Sequence, residues 1–220
     1  MTETATVPTA PPAAAGQVEV RTEDDASPIV RLIGRTLRDS NRVGHAFETL
    51  RRSTGAVAIC SHDTPQSATI AFGDNGIDVS SGVFTAPDVT LTVDLNARFA
   101  PIGEPAGDAD LAAGILTALS PPLPDWRAAA QRFWETARSM PGIPDVLIAV
   151  TEGPDGVEQA VVGNGNTQYL IAGDPDTLAG VFSGADDLVA VLSSGLLGIQ
   201  GTLSQLSVMV GASWKVRYDD

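Results

Sequence analysis

Cys60, Ser61, His62 and Asp63 place a thiol, a hydroxyl, an imidazole and a carboxylate at four consecutive positions, CSHD. An imidazole beside a thiol can activate it as a nucleophile, and in extended backbone residues 60 and 62 share a face. No third group at an established spacing completes the pair, so the sequence assigns it no catalysis and predicts a chain that is not an enzyme. His45 is the other histidine and Cys60 the single cysteine, which leaves no His- or Cys-rich set and predicts no metal site. GDNG (Gly73–Gly76) and GNGNT (Gly163–Thr167) read as hairpin turns. Neither lies between a strand and a helix as a phosphate loop must, so no cofactor is expected.

Two further sets carry other chemistry. Arg31, Arg35, Arg38 and Arg42 fall on one helical stripe. That stripe suits either anionic lipid heads or an acidic partner, or else a solvated face that pairs with the chain's own carboxylates. SSGLLGIQGTLSQL (Ser193–Leu206) sets large apolar residues among Gly195, Gly198 and Gly201. It is either a core strand between short helices or the wall of a cavity.

The chain that positions these groups has 220 residues, 43% hydrophobic and 18% charged, with a net charge of −14. That is a globular composition, and the charge argues against a nucleic-acid partner, which requires a positive footprint. One cysteine excludes an internal disulfide framework and points to a reducing, cytoplasmic setting. The longest charge-free stretch, Leu188 to Trp214, is too broken by Gly, Ser and Thr for a spanning helix. The start of the chain lacks the basic and apolar blocks of a secretory signal. Its Pro/Ala-rich, acidic-ended segment 1–27 is expected to be a disordered tail, able to dock a protein partner.

Ser27–Pro28 opens a helix that Gly55 ends. AVAICS, SATIAF, GIDVSS and DVTLTV read as strands, followed by short helices near Leu95–Ala100 and Asp110–Leu119. After SPPLPD the order repeats. Asp125 caps a helix with Trp126, Ala130, Phe133, Ala137 and Met140 on one face. DVLIAVT and EQAVVG flank an Asp155–Gly156 turn, and TQYLIAG follows. Short helices begin at Asp174–Pro175 and Asp186 and stop at Gly184 and Gly195. GLLGIQG is a strand, Thr202 and Gln205 form a capping box, a helix ends near Gly211, and SWKVRY is extended. FETLRRSTG aligns with WETARSMPG without a gap, and GDADLAAGIL resembles GADDLVAVLS. The reading is two related units, 28–120 and 121–220, behind the tail.

The segment Tyr169–Leu206 resembles the sterol carrier protein family of the type-two, lipid-binding kind: strand, acidic-started helix, Gly, second helix, Gly-rich strand, final helix. The first unit matches more loosely and reads as a degenerate copy; Thr202 stands where the family commonly has an acidic residue. The resemblance implies an α+β fold, a mixed, largely antiparallel sheet covered by helices, with an apolar cavity for a sterol, fatty acid or acyl-CoA. Lipid sites are apolar enclosures, and Phe133, Trp134, Leu178, Val181, Phe182, Leu188, Leu192, Leu197, Leu206 and Met209 are the expected wall. The function so implied is non-catalytic binding or transfer of a hydrophobic ligand, with transient membrane contact. The alternative is a scaffold or interaction protein that forms homo-oligomers and docks a partner through its tail.

Overall fold

Alternation of Val, Ile, Leu and Phe with small or polar residues decides the strands of the first half. In the computed structural model, which describes residues 18–73, 76–153 and 156–218, these strands are β1 (Val20–Thr22), β2 (Gly55–Ser61), β3 (Ser67–Gly73), β4 (Gly76–Ser81), β5 (Val89–Asp94), β6 (Ala100–Pro101) and β7 (Ala106–Gly107). They form a mixed sheet in the order β1-β4-β3-β2-β5-β6, with β7 also on β5. Helices α1 (Pro28–Arg42), α2 (Phe47–Arg52) and α3 (Ala109–Ala118) cover one face. Ile29, Ile33 and Leu37 of α1 and Ile115 of α3 join Val57, Ile59, Ile70 and Leu91 in one buried cluster.

The second half begins with α4 (Trp126–Ala137) and continues through β8 (Val146–Gly153), β9 (Gly156–Gly163), β10 (Gln168–Gly173), α5 (Pro175–Ser183), α6 (Leu188–Ser193), β11 (Leu197–Gln200) and α7 (Leu203–Tyr218). Its sheet runs β11-β10-β8-β9. The two sheets share a connectivity. β2 and β3 pair antiparallel, and β5 then lies parallel on the far side of β2. β8 and β9 likewise pair antiparallel, and β10 lies parallel on the far side of β8. The first sheet adds β1 and β4 to that plan. The molecule is therefore α+β, with mixed sheets covered by helices.

Several local expectations change. Residues 18–27, read as tail, contain β1, which pairs parallel with β4 at Val20↔Ile77 and is tied by Arg21 Nε donating to Asp78 Oδ1 at 2.8 Å. Residues 1–17 lie outside the described residues, as do Asp74, Asn75 and Asp155 of the expected turns. The single long first helix is two, because Gly44 (φ +69°) and Ala46 (φ +53°) turn the chain left-handed between α1 and α2. Ser27 stands at the N-cap of α1 with Pro28 first in the helix, but its side chain makes no capping bond; its hydroxyl lies 2.7 Å from that of Ser81. Within the expected helix Leu95–Ala100, residues 95–99 form a turn, with Arg98 and Phe99 at φ +51° and +60°, and Ala100 opens β6. Asp187, not Asp186, caps α6, accepting from Ala190 N at 2.9 Å. SWKVRY is helical: α7 runs through Gly211 to Tyr218, because Met209, Ala212, Ser213 and Arg217 recur at helical spacing and are buried. The caps at Asp125, Asp174 and the Thr202/Gln205 box form as expected.

Three arginines join the halves around α5. Arg98 Nε donates to Asp186 Oδ1 at 2.8 Å, and its Nη1 to Asp176 Oδ2 at 2.9 Å. Arg35 of α1 donates to the Ser183 carbonyl at the C-terminal end of α5 and to Asp39 at 3.0 Å. Arg217 of α7 is 1% exposed. It donates to the carbonyls of Gly184 (2.9 Å), Ala185 (2.7 Å) and Leu95 (2.7 Å). Cations at a helix C-terminus satisfy orphan carbonyls and oppose the helix dipole. The arginine stripe is thus divided. Arg35 cements the halves and Arg42 pairs with Asp39 at 2.7 Å, while Arg38 donates to the Val20 carbonyl at 3.2 Å.

Candidate functional site: the interior of the second half

Residue alternation gives the β11-β10-β8-β9 sheet an inner face of Leu147, Ala149, Thr151, Val162, Tyr169, Ile171 and Leu197. Above it α4 presents Trp126, Ala130, Phe133, Trp134 and Ala137, and α5 presents Leu178, Val181 and Phe182. Asp125 fixes the start of α4 by accepting from Arg127 N and Ala128 N, both at 3.0 Å. Asp174 does the same for α5 through Thr177 N at 2.9 Å. Phe133 and Phe182 meet with ring centroids 5.4 Å apart, tilted by 55°, a favourable aromatic geometry.

Of the ten residues expected to line a cavity, Phe133, Trp134, Leu178, Val181, Phe182, Leu188, Leu197 and Met209 are buried together in this one cluster. Leu192 is half-buried against it, and Leu206 is half-buried at the start of α7. They fill the enclosure by packing on one another. Two surface clefts among the described residues lie elsewhere. One, about 200 Å³, runs between Ile29, Leu32, Gln66, Leu95, Arg217 and Tyr218 at the junction of the halves. The other, about 420 Å³, is polar and includes Glu23, Asp25, Arg31, Arg38 and Lys215.

Two polar residues within the apolar enclosure were not singled out by the sequence. Tyr169 on β10 is 0% exposed and its hydroxyl has no hydrogen-bond partner among the described residues. Burial raises the pKa of that phenol, which keeps it a donor. Its ring lies where a side chain on Gly201 would stand, so Gly201 admits the tyrosine against the end of β11. Thr151, at the other end of the same inner face, is 3% exposed and its hydroxyl is likewise without a partner. Tyr169 was visible in QYLIAG only as a position alternating with Ile171, the one signal that could have marked it as inward-facing. Around the rim Leu196 (58%), Leu203 (84%) and Val189 stand exposed beside β11, α7 and α6.

The CSHD cluster assembles differently from a nucleophile and its base. Ser61 donates to Asp63 Oδ1 at 2.7 Å, His62 N donates to the Val93 carbonyl at 3.1 Å, and no hydrogen bond joins Cys60 to His62 among the described residues. The Ser61 bond, followed by the neighbouring His62, holds the Asp63 carboxyl below the ordinary range. Among the described residues, no three His, Cys, Asp or Glu side chains come together as a metal site, and no helix is long and apolar enough to cross a membrane.

Comparison with known proteins sets this architecture beside others. No family model matches the chain, and no curated protein matches it. Several solved structures that are similar to it are sterol carrier protein 2 domains. Palmitated SCP2L2 from Aedes aegypti is 10% identical with a TM-score of 0.30, over 39% of this chain and 87% of that one. Sterol carrier protein 2 from Yarrowia lipolytica, in its apo form, is 10% identical with a TM-score of 0.20, over 89% and 94%. A conserved hypothetical protein from Thermus thermophilus, described as possibly a sterol carrier protein, is 12% identical with a TM-score of 0.21, over 93% and 94%.

Proposed function

We propose that this chain binds an apolar ligand of the sterol, fatty-acid or acyl-CoA class, without covalent chemistry, in the interior of its second half, and exchanges it by transient membrane contact. The observation that carries the reading is the Tyr169 hydroxyl, a buried donor in an enclosure of Phe, Leu, Val and Met with no acceptor in the described chain. A donor left unmet costs about 1–3 kcal/mol, and a ligand carboxylate, thioester carbonyl or sterol oxygen would accept its hydrogen bond. Each ligand CH₂ taken from water adds about 0.8 kcal/mol. The resemblance over Tyr169–Leu206 supports the same reading. So do the exposed Leu196 and Leu203, which form an apolar rim on the glycine-flanked segment beside the enclosure. Because the interior side chains pack on one another, binding requires α6, β11 and the start of α7 to move aside. The single free cysteine fits a reducing, cytoplasmic setting.

Titration with a fluorescent fatty acid, displaced by the unlabelled acid, tests this. Saturation at one ligand per chain is expected. Tyr169→Phe should weaken binding by about three- to tenfold, the worth of one hydrogen bond. Absence of saturable binding removes the reading. A second reading, association through apolar surface, is favoured by the far face of the same sheet.

A further inference from the structure

Among the described residues, the helices cover one face of the second sheet and leave the other uncovered. Leu147, Ala149 and Thr151 turn inward along β8, so Ile148 and Val150 point outward; Ile148 is in register with Val161 of β9 and Leu170 of β10, and Val150 with Gln159 and Ala172, while Gln168 and Gln200 stand at the margin of the same face. Ile148, Val150 and Leu170 are half-buried, while Val161 is 54% and Val157 70% exposed. The corresponding face of the first sheet carries Cys60, Thr69, Thr90 and Thr92 around the buried Ala58. Two sheets of one connectivity thus present opposite chemistry outward. Threonine hydroxyls suit water, whereas a face centred on Val, Ile and Leu is what one sheet of a sandwich turns to another.

The charges say which partner fits. Among the outward positions of β8, β9, β10 and β11, Glu152 alone is charged, in a chain of net charge −14. The face offers no cations to anionic lipid heads or to an acidic partner, and no row of carboxylates to a basic one. Two highly acidic copies can approach each other most closely where each is neutral. The strand β9 is an open edge, but pairing edge to edge would leave both apolar faces in water; stacking face to face covers them. We propose that two copies of this chain associate face to face through the outer surface of the β11-β10-β8-β9 sheet. Four strands about 4.8 Å apart and about 20 Å long give about 400 Å² per copy. A standard interface buries about 800 Å² per partner, so the dimer is concentration-dependent and not permanent. This lies beyond the ligand reading, which concerns the opposite face.

Sedimentation of the full chain from low- to high-micromolar concentration tests it. The mass should rise from 22.7 kDa towards twice that value. Val161→Lys, at an exposed position, should weaken the dimer by about tenfold or more with an unchanged circular dichroism spectrum. Thr92→Lys, on the first sheet, should leave it unaltered. If Val161→Lys perturbs the spectrum, Val157→Lys at the more exposed position gives the same reading. A mass that stays monomeric throughout overturns the proposal. So does a dimer indifferent to Val161→Lys and Val157→Lys, or one weakened equally by Thr92→Lys. A monomer that floats with neutral phosphatidylcholine vesicles overturns it too, and assigns the face to a bilayer. Fatty-acid binding retained by Val161→Lys separates failure here from failure of the ligand reading.

Discussion

Asp174 and Tyr169 stand five residues apart and show what a single side chain decides. Asp174 accepts from Thr177 N at 2.9 Å and from Thr177 Oγ1 at 2.6 Å, bonds that hold its carboxyl below the ordinary range. A group whose pKa falls on folding stabilises the fold fully above its unfolded value, about 3.9 for Asp. That stabilisation is lost as the pH drops through the folded value. Asp174→Ala should therefore lower stability by about 1 kcal/mol at neutral pH, and its difference from the parent should shrink below about pH 4; urea unfolding at several pH values reads this. Tyr169→Phe removes an orphan hydroxyl. We expect the ligand-free chain to gain up to about 1 kcal/mol by thermal unfolding, while ligand affinity falls. Asp174 was legible because a cap is local, Asp before Pro at a helix start. The isolation of the Tyr169 hydroxyl depends on what surrounds it in space, which no local spacing records.

At the scale of elements, α5 is held at both ends and along its side. A methyl group on Gly180 would overlap Asp186 Oδ2 and come within 2.7 Å of Arg98 Nη2. Gly184, at φ +76°, caps the helix with Arg217 Cα 2.9 Å from where a Cβ would stand. Gly180→Ala should accordingly cost about 2 kcal/mol or more in urea unfolding, since it both crowds and separates a shielded ion pair. Substituting a helical glycine by alanine at an open position would instead stabilise. Strands, caps and the GLLGIQG strand were readable because period-two alternation and capping residues act over a few positions. Misread elements are those whose local signal lost to a tertiary one. Leu95–Ala100 has helical composition but is turned by Arg98 reaching Asp186. Trp214–Tyr218 has strand-like composition but continues α7, because Arg217 there reaches three carbonyls across the junction.

For the whole molecule, the order of strands behind the connectivity that the two sheets share was legible, and the union of the halves was not. Arg35 and Arg98 from the first half grip α5 of the second, while Arg217 of α7 reaches back to Leu95. These contacts couple two separate buried clusters. One cooperative unfolding transition is expected for the full chain, and two for Arg35→Met with Arg98→Met, followed by near-ultraviolet and far-ultraviolet dichroism. Eight of the ten expected lining residues are buried in one cluster, but apolar spacing alone cannot distinguish a wall from a core. On the proposed reading, the second interior yields to an oily guest. Native mass spectrometry of the full chain with a long-chain fatty acid addresses it most directly. One adduct per chain is expected, abolished by Leu197→Trp, which crowds the enclosure while the chain stays folded. No adduct on the parent, or an equal adduct on a folded Leu197→Trp chain, would contradict it.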